Sequence, residues 1–239
     1  MNSQIRENNY NSPYVASLFN SIAGTYDFLN HFLSGGIDFY WRRRALKLLG
    51  NSKPKNILDV ATGTGDFAIA AVSYGVEMVY GIDIADKMLD IGKQKILKKG
   101  LNEKIKLEVG KAEALRFEDN SFDAAIVAFG VRNFENLEKG LSEMHRVLKN
   151  DGKILVLEFS KPKIFPVKQI YFFYFKHVLS FIGKLVSKHH EAYDYLPNTV
   201  MNFPEGEIFL DILTKVGFNN AQQHRMTFGI ATAYTGVKS

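Results

Sequence analysis

Apolar positions along this chain alternate between two spacings, and the alternation begins after Lys55. Ile57, Leu58 and Val60 form a short buried run, followed by Phe67, Ile69 and Ala71 at helical spacing. Met78 to Asp83 is apolar and ends in an acid. Asp86 is then placed to cap a helix running to Gly100, with Leu89 and Ile96 on its inner face. Ile105 to Val109 reads as a third strand. Phe122 to Phe129, "FDAAIVAF", is a fourth, continuous enough to be buried on both faces. Leu137, Leu141, Met144 and Leu148 share a helical face, "NDG" at 150–152 is a turn, and Lys153 to Phe159 is a fifth strand. Strand and helix in regular alternation predict an α/β fold with a mostly parallel sheet flanked by helices. Ile208, Phe209, Ile212, Leu213 and Val216 make one more amphipathic helix, stopped at Gly217. Gln222 to Val237, pivoting near Gly229, predicts a closing pair of antiparallel strands, for seven in all.

Two regions fall outside this rhythm. Residues 13–49 are aromatic-rich and predict three short helices, so that 1–52 would form a helical cap. Residues 160–204 form an insertion after the fifth strand and contain "IYFFYFKHVLSFIGKLV". At 239 residues, cap, sheet and insertion are expected to form a single domain, 1–239.

Composition narrows the function classes. With no cysteine, disulfides, thiol nucleophiles and cysteine-ligated metals are excluded, which suits a reducing, cytoplasmic setting. The first residues, "MNSQIRENNYNSPY", lack the apolar core of a signal peptide. A net charge of +5 invites a nucleic-acid reading, but the basic residues are scattered and the densest runs are only "WRRR" and "KQKILKKG". No nucleic-acid partner is expected.

The candidate chemistry sits in "NILDVATGTGDFAIAA". A strand-to-helix turn with almost no side chain lets a ligand approach the backbone and meet the helix N-terminus. Gly63, Thr64 and Gly65 form that turn, Asp59 lies just before it, and Asp83 ends the next strand. In open α/β sheets ligands bind outside the carboxyl ends of the strands, and an acid at the second strand end accepts the hydroxyls of a ribose. Gly63-x-Gly65-x-x-Ala68 formally satisfies a dinucleotide fingerprint. Asp59, however, would repel a pyrophosphate at that loop. A ligand carrying sulfonium and ammonium groups suits it, which favours S-adenosyl-L-methionine over NAD.

"ILDVATGTGD", "GIDIADKML", "AEALRFEDNSFDAAIVAFGVRN", "MHRVLKNDGKILVLEFSKP" and "YDYLPNTVMNFP" together resemble the C-methyltransferases of menaquinone and ubiquinone biosynthesis, over about Val15 to Val237. The resemblance implies a class I S-adenosylmethionine-dependent methyltransferase with a Rossmann-like fold, acting on a prenylated, demethylated quinol. Demethylmenaquinol is the expected acceptor, with the ubiquinone precursor, another lipophilic phenol, or an inactive binding protein of the same fold as alternatives. No metal is expected, because no Glu or His stands at metal-ligand spacing beside His189 and His190. Cofactor-binding roles fall on Thr64, Asp83 and Met88, and on Lys111 and Ala112 beside the adenine. Lys111 departs from the Asp or Asn usual there, and Ala128 stands where some relatives carry serine.

Methyl transfer to a ring carbon needs a neighbouring phenol to lose its proton, hence donors that stabilise a phenolate. Arg132 and Asn133, after the fourth strand, and Tyr26 are the expected catalytic residues, and Arg132 is assigned phenolate stabilisation or water orientation. Tyr26 and Asp27 are expected on a lid over the methionine end of the cofactor, and Tyr193 and Tyr195 against the quinol. His189 and His190 are adjacent and cannot converge on one point of a helix. Tyr171 to Val186 is apolar but interrupted by Lys176, His177 and Lys184, too short and too charged to span a bilayer. Four roles remain open for it: a core helix, a wall for the prenyl tail, a homodimer contact, or a peripheral contact at the inner face of the membrane.

Overall fold

The computed structural model describes residues 11–50, 54–174 and 190–239. Seven strands make one sheet: β1 (Asn56–Val60), β2 (Met78–Asp83), β3 (Ile105–Val109), β4 (Phe122–Ala128), β5 (Leu148–Phe159), β6 (Phe218–Met226) and β7 (Ala231–Lys238). Their order is β3-β2-β1-β4-β5-β7-β6. The first five are parallel, and β7 runs antiparallel to both β5 and β6. From β1 the chain winds outward to β3, then crosses back to β4 on β1's other side. The reversal between β1 and β4 is the crevice where such sheets bind ligands.

Period-two burial explains the layers. Leu58 and Val60 face one side with Leu141 and Met144 of α5 (Leu137–Val147) and Phe209 and Leu213 of α8 (Glu207–Lys215). Ile57 faces the other, with Phe67, Ala68 and Ala71 of α3 (Asp66–Tyr74), Ile96 of α4 (Asp86–Lys98), and Trp41, Ala45 and Leu46 of α2 (Ile37–Leu46). Both faces are covered, which is why β1 and β4 read as nearly continuous apolar runs.

Several boundaries differ from expectation. Residues 13–49 hold not three short helices but a 22-residue helix, α1 (Ser12–Leu33), then α2 and a single 3-10 turn, Lys47–Leu49. Gly24 does not interrupt α1. The break comes at Gly35 and Gly36, whose φ values of 59° and 75° no helix continues through. Asp86 is not the cap of α4: Ala85 holds that position without a side-chain bond. The Asp86 carboxylate instead accepts from Asn20 Nδ2 of α1 at 2.6 Å. β5 starts at Leu148, five residues early, because "NDG" is a bulge within the strand: register jumps from Phe122↔Leu148 to Ala124↔Lys153, with Asp151 at φ 62°. β6 likewise starts at Phe218, with a register shift between Asn219 and Gln222.

The insertion contributes α6 (Val167–Phe173) and α7 (His190–Asn202). Of the apolar stretch Tyr171 to Val186, only Tyr171 to Tyr174 are described. His189 and the side chains of His190 and Tyr193 lie outside the described residues. Among the described residues no helix is long and apolar enough to cross a membrane.

Candidate active site

The loop after β1 is built by three left-handed residues, Ala61, Gly63 and Gly65, at φ 54°, 58° and 81°. Thr62 N–H donates to the Ile82 carbonyl at 2.9 Å, tying the loop to the end of β2. The approach is close enough that a Cβ on Gly81 would lie 2.5 Å from Leu107 and 3.0 Å from Thr62. A cleft opens here, lined by Asp59, Gly63, Thr64, Asp83, Met88 and Ala112 among others. Gly65 stands behind it, where a Cβ would meet Ile96.

Asp59 is fully buried. Its Oδ2 accepts from the Thr62 hydroxyl at 2.6 Å, while Oδ1 has no hydrogen-bond partner. Burial pushes its carboxyl up to about 7, against the downward pull of the Thr62 hydrogen bond and of Arg42. An orphaned buried acceptor in a cleft wall is satisfied by a cationic donor. Asp83 accepts from Gly63 N–H at 2.8 Å and Ala85 N–H at 2.9 Å, which holds the loop and aims the carboxylate into the cleft. Burial pushes it, too, above the ordinary carboxylate value. An ammonium on Asp59 and vicinal hydroxyls on Asp83 are the groups these two acceptors fit.

Behind the cleft lies a second, largely apolar cavity of about 480 Å³. Aromatic residues dominate its wall, among them Trp41, Phe159, Tyr171 and Tyr195. Phe19, Tyr26 and Phe129 line both spaces and form the junction between them. Phe129 is held there at φ 57°, its N–H on the Leu157 carbonyl at 2.7 Å. Burial raises the Tyr26 phenol above its ordinary value.

Arg132 and Asn133 share a 3-10 turn, Val131–Asn133, and serve different spaces. Arg132 lines the apolar cavity and Asn133 the cleft. Arg132 Nη1 pairs with buried Glu158 Oε1 at 2.7 Å and also donates to the Phe129 carbonyl. Its Nε donates to Thr199 Oγ1 at 3.3 Å. Arg132 is thus both an ion-paired residue and a cavity wall. Asn133 Oδ1 accepts from the Tyr195 hydroxyl at 2.9 Å.

Helix α1 straps the cleft at two points. Thr64 donates its hydroxyl to Asp27 Oδ1 at 2.5 Å and accepts from Lys95 Nζ at 3.1 Å. Lys95 reaches Asp27 at 2.5 Å and Asp66 at 2.7 Å. Asp27, His31 and Asp66 offer ligand atoms within 4.8 Å of one another, and the Lys95 ammonium already supplies positive charge to both carboxylates. At the other end, Ser12 donates its N–H and hydroxyl to Glu135 Oε2, at 3.2 and 2.5 Å. Lys111 does not line the cleft. Its Nζ is drawn 2.7 Å onto Glu135, leaving Ala112 and Glu113 at the wall. These hydrogen bonds and pairings hold the Glu135 carboxyl low, at about 2.

Glu158, Lys95, Glu135 and Thr199 are site residues that the sequence reading did not single out. Each is defined by a partner distant in sequence, and only Glu158, in "LEFSKP", and Thr199, in "YDYLPNTVMNFP", lie within motifs that carried any signal.

A family model described as the ubiE/COQ5 methyltransferase family matches residues 7–238. The demethylmenaquinone methyltransferase of Bacteroides fragilis is 49% identical over 228 residues, covering 95% of this chain and 93% of that one. The ubiquinone/menaquinone biosynthesis C-methyltransferase UbiE of Citrifermentans bemidjiense is 46% identical over 226 residues, covering 94% and 96%. Among solved structures, an S-adenosylmethionine-dependent methyltransferase of Thermotoga maritima aligns with a TM-score of 0.65 at 19% identity, covering 93% of this chain and 99% of that one. Phosphoethanolamine N-methyltransferase 2 of Haemonchus contortus, solved with S-adenosyl-L-methionine, aligns at 0.61 and 18% identity, covering 89% and 59%. At those identities the structural likenesses speak for the fold. The seven-stranded sheet with its acid-lined cleft and the match over almost the whole chain agree: this protein belongs to the ubiE/COQ5 methyltransferase family.

Proposed function

We propose that this protein transfers a methyl group from S-adenosyl-L-methionine to a ring carbon of a reduced, demethylated prenyl quinone, with demethylmenaquinol as acceptor. The observation that supports this most directly is the pair of adjoining spaces. An acid-lined cleft suited to an ammonium and a ribose meets a largely apolar cavity of about 480 Å³ across a wall of Phe19, Tyr26 and Phe129. The names of the relatives at 49% and 46% identity support the substrate class.

S-adenosylmethionine, when bound, supplies a methyl group activated by its sulfonium. Asp59 would hold the amino end and Asp83 the ribose, with Gly63, Thr64, Met88 and Ala112 forming the walls between them. The aromatic junction excludes water where the ring meets the donor, which strengthens every electrostatic interaction there. Arg132, fixed by Glu158, presents its guanidinium, a charge-assisted hydrogen-bond donor, to the apolar cavity. A phenol bound beside it loses its proton more readily, and its ring carbon becomes the better nucleophile. The ring proton that leaves after the new C–C bond forms passes to solvent or a neighbouring base.

The prenyl tail would leave the cavity past α6. Val167 and Ile170 line that wall, while Phe165 and Phe173 beside them are 78% and 62% exposed. Lys161, Lys163 and Lys168 flank the same segment, the composition of a peripheral contact with an anionic bilayer.

The test incubates purified protein with methyl-labelled S-adenosylmethionine and chemically reduced demethylmenaquinone, the reduced ubiquinone precursor in parallel, and Arg132→Ala as control. Label in methylated menaquinol, strongly reduced in the variant, is expected. Label only in the ubiquinone product reassigns the acceptor. No label in either, with cofactor bound, sinks the reading and leaves an inactive binder or another acceptor.

A further inference from the structure

Ile22, Tyr26 and Asn30 succeed one another at four-residue intervals on α1, so all three present one face to the apolar cavity. Ile22 belongs there, and Tyr26 forms the junction. Asn30 is the exception: its carboxamide Nδ2 is buried and has no hydrogen-bond partner. Nearby polar groups on the same wall are engaged. The Ser34 hydroxyl donates to Asp38 at 2.8 Å, and Trp41 Nε1 donates to Thr227 Oγ1 at 2.7 Å. Asparagine is also a poor residue for a helix interior. Leucine at this position would suit both the helix and the apolar wall, so the site carries a local cost without a structural return. Broken local rules of this kind cluster where a ligand compensates for them.

We propose that Asn30 is a substrate-recognition residue, its carboxamide N–H donating a hydrogen bond to an oxygen of the acceptor ring. The assignment rests on the quinol reading above and deepens it. A prenylated quinol carries hydrogen-bonding groups only on its ring, and the ring must reach the junction at Tyr26 for methyl transfer. Asn30 lies one helical turn beyond Tyr26, about 6 Å along the axis. A ring with one oxygen toward Arg132 has a second oxygen to place, and the Asn30 amide is a donor on that wall that can meet it. The same bond selects against acceptors that lack the second oxygen, because they leave the buried amide unpaired.

The test compares wild type, Asn30→Leu and Asn30→Asp with two acceptors of identical tail: reduced demethylmenaquinone, and the naphthol analogue lacking the second ring oxygen. Intrinsic reactivity differs between the acceptors but cancels in the ratio of ratios. Wild type is expected to prefer the two-oxygen acceptor, and Asn30→Leu to lose roughly tenfold in kcat/KM on it, equivalent to about 1.4 kcal/mol, and to lose most of the preference. Asn30→Asp, which accepts rather than donates when ionised, should lose at least as much. Affinity for S-adenosylhomocysteine should stay unchanged, and the melting temperature of Asn30→Leu should hold or rise. Wild-type discrimination and KM in Asn30→Leu overturn the assignment while leaving the quinol reading intact. A fall in melting temperature with equal losses on both acceptors also overturns it, in favour of a structural role. Absence of label from wild type with both acceptors overturns the quinol reading, and this assignment falls with it.

Discussion

Asp59 shows how a single buried carboxylate can couple protonation, stability and binding. Its folded value is raised from 3.8 to about 7 by burial. The native state therefore holds a proton that the unfolded chain gives up at lower pH. The resulting stability is fully present below about pH 4 and is lost as pH rises through about 7. A cationic ligand group needs the ionised form, so cofactor affinity should rise with pH up to about 7 and then level off. Titration calorimetry from pH 5 to 9 measures that slope. Asp59→Asn should flatten it, weaken binding roughly 10- to 100-fold, and raise the melting temperature of the ligand-free protein at pH 8 but not at pH 4. Glu158→Gln tests a buried carboxylate that does have a charged partner. Removing one partner of a buried pair should cost about 3–5 kcal/mol, seen as an earlier denaturation midpoint, and turnover should fall because Arg132 is no longer held. Asp59 and Asp83 were legible in the sequence because a carboxylate at a strand end, next to a glycine turn, has local meaning. Glu158 was not, since a lone acid inside "KILVLEF" acquires a role only when the fold brings Arg132 to it, 26 residues away.

Among the elements, α1 differs most from its reading. Its aromatic-rich stretch looked like three helices because packing residues fall on more than one face. Val15 and Leu18 pack with Tyr195, Ala23 packs with Met88, and Tyr26 lines the junction. Strands β1 and β4, by contrast, were readable almost to the residue, since burial on both faces leaves an unbroken apolar run. The two bulges, at Asp151 and near Asn220, moved the starts of β5 and β6 because a turn sequence can be absorbed within a strand. As a strap, α1 is held at one end by Asp27, Thr64 and Lys95 and at the other by Ser12, Glu135 and Lys111. Lys95→Ala removes about 1 kcal/mol of partly exposed pairing. Stopped-flow measurement should show S-adenosylhomocysteine leaving roughly fivefold faster, with little change in association rate.

Across the whole molecule, one helix walls both spaces, through Phe19 and Tyr26. Ordering α1 over the cleft should also shape the apolar cavity, so occupancy of one space raises affinity in the other, and by linkage the effect is reciprocal. S-adenosylhomocysteine is expected to tighten binding of an oxidised menaquinone analogue roughly tenfold. Lys95→Ala should reduce that coupling more than it reduces analogue binding alone, and paired titrations separate the two. The cavity's size has a further consequence. About 480 Å³ accommodates a body of ordinary drug dimensions, enough for a fused ring and the start of a tail but far less than a long polyprenyl chain. With the proposed prenylated acceptor, most of the isoprenoid would trail outside during turnover. On that proposal the enzyme would work as a reader of headgroups, treating a mixed pool of short- and long-chain homologues as one population whose members differ only in how they are delivered to the mouth.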